Sequence, residues 1–314
     1  MTMLGTAMRP MFAVTPTDVP VLTTGGGPTT ERLSRVVFVV TECCELALTT
    51  RHEDTLTARL DAYPEELRGF AYEGAGVGLA ALDQLLRWKR RTRRFVDGPA
   101  ADYLFAVYLG AGMGLARLRL NPESFRRRLG DPVMSWVVLD GYGFHEGFFA
   151  HRRHVQERAT PPWLSGYARR AFDHGLGRAV WFATGADVQR IQATVDGFPP
   201  ERRGDLWAGV GLACGYTGGV GEAGVRAIRS LSGAHLPRLA EGVVLAARAR
   251  HQVGNPGDEV ETACRVICGT SSREAAEIAA AALAGLPTDD IEPAYEIWRQ
   301  RIRSPFMEGP DDQH

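Results

Sequence analysis

The chain has 314 residues, 45% of them hydrophobic, with 36 basic residues against 37 acidic ones and a formal net charge of -1. A chain of this length buries about three quarters of its unfolded surface, so it needs no metal or disulfide to hold a core. The balanced charge gives no global pull toward nucleic acid or an anionic membrane. Lys89 is the single lysine, which argues against Schiff-base enzymes and P-loop nucleotide hydrolases, since both need one.

The five cysteines, Cys43, Cys44, Cys214, Cys264 and Cys268, are an odd set. No charged start followed by an apolar run and a cleavage site opens the chain, so reduced thiols in a cytoplasm are expected. Asp83, Asp140 and Glu146 interrupt the greasiest stretches, leaving nothing near the roughly 18 apolar residues of a membrane span.

In chain order, residues 1–29, with "TTGGGPTT", read as an extended arm. Apolar residues then recur at spacings of three and four in "ERLSRVVFVVTECCELAL" (31–48), "YLFAVYLGAGMGLARL" (103–118) and "HLPRLAEGVVLAARAR" (235–250), which predicts helices. Asn121-Pro122, Asn255-Pro256 and Thr288-Asp289-Asp290 read as helix starts. Alternating strand patterns are nearly absent, and residues 307–314 read as a loose tail. "DAYPEELRGFAYEGAG" (61–76) returns as "DGFPPERRGDLWAGVG" (196–211), sharing Asp61/Asp196, Pro64/Pro199, Glu66/Glu201, Arg68/Arg203, Gly69/Gly204, Gly74/Gly209 and Gly76/Gly211. The expectation is an all-α, glycine-rich helical bundle of two related halves, 30–160 and 161–306, packed as one domain.

Gly74/Gly78, Gly110/Gly114, Gly175/Ala179, Gly209/Ala213 and Gly242/Ala246 are small residues four apart, hence on one face of a helix. Each mid-helix glycine costs about 1 kcal/mol against alanine, and close helix contact is the expected compensation. "GAGVG" and "GAGMG" follow no strand, so a dinucleotide fingerprint is not supported.

"LDGYGFHEGFFAHRRH" (139–154) carries His145, His151 and His154, but the spacing His145-Glu146 to His151 does not fit a zinc-protease helix. His151 and His154 with Asp173 or His174 compose the alternative metal set; no metal and no cofactor are expected. Tyr142 and Glu146 are four apart, as are Phe144 and Phe148, so a polar pair flanks aromatic surface on a helix. "FAYEG" (70–74) adds Tyr72 and Glu73; "FDHGLGRAVWF" (172–182) adds His174, Arg178 and Trp181. Carboxylates and imidazoles beside aromatics are how an apolar pocket gains shifted pKa values. Glu146, His145, Tyr142, Glu73 and His174 are therefore the proton-handling candidates, with Tyr72, Phe144, Phe148, Trp181, Trp207 and Arg178 as substrate-binding wall. Interhelix ion pairs among Glu73, Glu146 and Arg178 are the competing structural reading. "RWKRRTRR" (87–94) reads as a solvated basic run, "DDIE" (289–292) as an acidic helix start, and no G-x-S-x-G is present.

"RGFAYEGAGVGLAALD" (68–83), "LDGYGFHEGFF" (139–149), "LSGYARRAFDHGLGRAVWF" (164–182), "DLWAGVGLACGYTGG" (205–219) and "PAYEIWRQRI" (293–302) resemble the UnbL-type family of unknown function encoded in bacterial enediyne polyketide gene clusters. The resemblance runs through most of residues 34–306 and implies a role beside the enediyne polyketide synthase. Expected partners are a linear polyene or polyketide intermediate and other pathway proteins. It brings no assigned reaction and no catalytic residues. A cavity between the two halves that holds the polyene, catalytic or merely protective, is the functional expectation.

Overall fold

A computed structural model describes residues 3–14, 26–287 and 291–307. Thr288 to Asp290, and the tail beyond Met307, lie outside them. The described residues form helices and no strand. Those that build the site and its frame are α1 (Met3–Phe12), α2 (Pro28–Thr49), α3 (Glu65–Leu85), α4 (Leu104–Arg117), α5 (Val137–Phe149), α6 (Tyr167–Ala183), α7 (Pro200–Tyr216), α8 (Leu236–Gln252) and α9 (Ala294–Arg303). Residues 3–12 are thus helical where an extended arm is expected; α1 lies on α2, burying Met8 and Phe12.

The two similar segments start helices in the same way. Pro64 and Pro199 sit at the N-caps of α3 and α7 in matching extended conformations, and glutamates follow in the first turn, where they meet the positive end of the helix dipole. Asn121 accepts from the Glu123 N–H at 2.9 Å, as a helix start requires. Asn255 does not; its amide donates to the Glu65 carbonyl instead, at the start of α3.

Helices α2 to α8 pack each on the next along the chain, and glycine makes this possible. Gly74 and Gly78 lie against the Val40 and Cys44 carbonyls of α2, whereas Gly76 lies against Val107 of α4. Gly112 meets Val138 of α5, Gly141 meets Leu109 of α4, and Gly143 meets Phe172 of α6. Gly175 and Gly177 repeat this toward α5 and α7, and Gly209 and Gly211 toward α6 and α8. A two-residue step turns about 200° around a helix, so each G-x-G gives one glycine to each neighbour. The four-residue spacing marks one contact face; the two-residue spacing marks both.

Polar contacts also join helices far apart in the chain. Arg32 donates to the Thr217 carbonyl at 2.6 Å, and Arg250 donates to that of Glu66 at 3.2 Å. Helix α9 docks through buried ions: Arg299 bridges Glu241 and Asp205, Arg303 reaches Glu241 and Glu296, and Trp298 donates to the Ala279 carbonyl. The segment "PAYEIWRQRI" is therefore a strut against α7 and α8. No described helix is long and apolar enough to cross a membrane.

Candidate functional site

An apolar cleft opens among α1 to α6, with a cavity volume of about 60 Å³. Helices α1 to α5 supply most of its wall, among them Phe12, Val36, Val40, Phe70, Val77 and Met113, and α6 closes it with Arg178 and Phe182. The cavity, expected between segments 30–160 and 161–306, is thus walled mainly by side chains from Phe12 to Phe149, with Arg178 and Phe182 from beyond them. On α5, Gly143 and Gly147 press toward α6. Their neighbours Phe144 and Phe148, one residue or about 100° further round, face the cleft. These two rings stack at 5.7 Å, and Phe182 meets Phe144 edge-on at 5.3 Å.

Charged and titratable side chains that interrupt this wall include Glu73, His145, Arg178 and Arg117. Arg178 is buried and bridges two helices, donating to Asp140 of α5 at 2.9 Å and to Glu73 of α3 at 3.3 Å. Its guanidinium also lies 4.9 Å from the Phe144 ring centre. Asp140 accepts a second bond, 2.5 Å, from His174 Nδ1. Burial works against ionisation of Asp140, but His174 and Arg178 outweigh it and hold the carboxyl below its ordinary value. Glu73 has only the longer bond, so burial prevails and its carboxyl is raised. One arginine shared unequally thus separates two carboxylates into a firm anion and a group that holds its proton to higher pH.

His145 is buried, and burial lowers its pKa despite the neighbouring Glu146. With Nδ1 turned to Glu146 Oε1 at 3.3 Å, Nε2 has no hydrogen-bond partner. A neutral imidazole with a bare nitrogen in an apolar wall is equipped to accept a proton.

Glu146 itself is not part of the cleft wall. It turns to the segment after α5, where His154 Nε2 lies 2.9 Å from Oε2 and His154 Nδ1 lies 2.7 Å from the Ala159 carbonyl. Burial alone would raise Glu146, but the His145 and His154 hydrogen bonds prevail and set it at about 2. A carboxyl depressed from 4.5 in the folded state contributes stability above pH 4.5 and loses it as pH falls toward about 2. Wild-type protein is therefore expected to lose stability across that interval in urea titrations followed by circular dichroism, and Glu146→Gln to lose measurably less. An identical acid limb in the variant would rule out this role for Glu146.

The remaining candidates are buried but do not form the cleft wall. Tyr142 packs edge-on against Trp163 at 5.3 Å, and burial, with Glu146 nearby, pushes it up to about 12. Tyr72 donates to Asp61 at 2.9 Å and stacks on Tyr103. Trp181 and Trp207 are core. His174 stands behind Arg178, its Nε2 unpartnered. Sequence reasoning missed Asp140, the hinge of the ion network, which it took only as a break in an apolar run. It also missed Arg117, which lines the cleft and donates to the Met11 and Ala13 carbonyls, fixing the end of α1 over it. His151 bonds the Gly147 carbonyl, and among the described residues no group of three or more His, Cys, Asp or Glu is arranged to hold a metal.

No curated protein and no solved structure matches the chain. A family described as "protein of unknown function (DUF1702)" matches residues 7–306. With nearly its whole length covered, the chain belongs to the DUF1702 family.

Proposed function

We propose that the protein serves enediyne natural-product biosynthesis in the cytoplasm, taking a linear polyene from the polyketide synthase into the phenylalanine-lined cleft and acting on it by acid/base chemistry. The single observation that carries this reading is a cleft in which a raised carboxyl, Glu73, and a bare imidazole nitrogen, His145 Nε2, share a wall of stacked aromatics. Flat rings and apolar surface suit a conjugated chain. His145 would take a proton from a methylene at the end of the conjugated run. The electron pair would spread along the chain beside Arg178, and protonated Glu73 would return a proton at a distant carbon. The net change is a shift of double bonds, with no redox step and no cofactor. We read the pathway's other proteins as partners and the halves 30–160 and 161–306 as related.

The test incubates purified protein with the polyene and the pathway partners, omitting one at a time, and follows products by mass spectrometry. Glu73→Gln and His145→Gln are expected to bind the polyene as wild type does and to lower turnover about 100-fold, a general acid/base contribution. A noncatalytic carrier is the second reading, favoured by the Arg178 bond that already occupies Glu73; undiminished product from both folded variants would select it. Polyene binding unaffected by Phe148→Trp, which fills the cleft, would defeat both.

A further inference from the structure

A second concave pocket lies on the far end of α3, lined by Asp83, Arg87, Arg90, Arg93, Arg128, Phe125 and Leu129. Four guanidinium groups and one carboxylate leave it strongly positive. Asp83 is the one carboxylate among them, and its two oxygens accept from the backbone N–H groups of Arg91 and Thr92 at 2.8 and 2.9 Å. Arg93 has its own carboxylate, Asp97, at 2.6 Å. Among the described residues the guanidinium groups of Arg87, Arg90 and Arg128 have neither an ion-pair nor a hydrogen-bond partner, although that of Arg128 lies over the Phe125 ring at 5.6 Å. Burial first, and then the adjacent Arg87, pulls the Arg128 guanidinium below its ordinary value, against an opposing pull from Asp83.

The backbone adds a second sign. Arg90 is held at φ 45°, in the left-handed region, which a residue with a side chain enters only against a steric penalty. Such strain gathers at ligand clamps, and here it falls on one of the unpartnered arginines. Planar guanidinium forks match the oxygens of a phosphate group. We propose that Arg87, Arg90 and Arg128 form a binding site for the phosphate monoester group of a small molecule. It is separate from the aromatic cleft and does not depend on the polyene reading. Trp88, on the turn between Arg87 and Lys89 and 72% exposed, stands beside it as a built-in reporter.

Titration calorimetry and tryptophan emission would be recorded on the full chain with phenyl phosphate, with inorganic phosphate, with acetate, and with a short single-stranded oligonucleotide, all at one ionic strength. Both phosphates are expected to bind at least tenfold more tightly than acetate and to shift the emission. The double variant Arg87→Gln/Arg90→Gln, which changes two exposed side chains, is expected to weaken phosphate binding about tenfold or more. Arg152→Gln, on a remote surface, is expected to leave it unchanged. Phosphate held no better than acetate, or held equally by the double variant, would overturn the proposal. So would an oligonucleotide bound far more tightly than either phosphate with a steep salt dependence, which marks a polyanion surface.

Discussion

Arg178→Met is expected to destabilise the protein by about 3–5 kcal/mol, the range for removing one partner of a buried ion network. The side chain is buried, and so are the two carboxylates it joins, Glu73 and Asp140. Methionine fills much of the volume, so the loss is electrostatic more than a matter of packing. Asp140 would retain His174, at 2.5 Å, while Glu73 would have no charged partner and would meet the change by holding its proton. The raised carboxyl of Glu73 fixes the sign of a second expectation. A carboxyl whose folded pKa lies above 4.5 favours the fold below pH 4.5 and opposes it as pH rises through the folded value. Arg178→Met is therefore expected to be least harmful near pH 4.5 and most harmful near neutrality. The double variant Arg178→Met/Glu73→Gln should recover part of the loss at neutral pH. Urea midpoints at both pH values measure this. A single variant within 1 kcal/mol of wild type at neutral pH, a threshold well below the penalty for an unpaired buried charge, would refute the network.

Gly141→Ala is the other large expectation, a loss of about 3 kcal/mol, at the upper end for overpacking. On propensity alone the substitution would gain about 1 kcal/mol in a helix interior. The structure reverses that sign, because a methyl at Gly141 would fall on the Leu109 carbonyl oxygen of α4. Backbone cannot rotate away as a side-chain tip can, so α4 and α5 would have to separate and their shared contacts with them. Gly204→Ala in α7 is the control: its added methyl meets only the Arg238 side chain, at 3.3 Å, which can yield. The control is expected to be neutral or slightly stabilising. Thermal unfolding of both variants compares them directly, and a neutral Gly141→Ala would show that α4 and α5 do not approach at this point.

The candidate residues divide by how they were legible. Phe144, Phe148 and His145 follow from position on one helix, and α5 places all three on the cleft wall. Glu73 and Arg178 stand out in the sequence as charged residues beside aromatics, and they meet each other only because α3 and α6 come together. Glu146 shared that chemistry and went elsewhere, drawn to His154 across the turn that follows α5. Trp181 and Trp207 carried the aromatic character of a pocket wall and became core, since the glycines of α6 and α7 bring the neighbouring helices over them. Asp140 had no local signal at all; its role is created by His174 and Arg178 of another helix.

By itself the sequence determined the helical class and the glycine faces along which helices meet, since both depend on spacings of two to four residues repeated within one element. The tertiary structure alone decided where the cleft lies, that α1 helps to cover it, and which carboxylate keeps its proton. Those properties depend on the distance and burial of charges carried by different helices, quantities that spacing along a single chain does not encode.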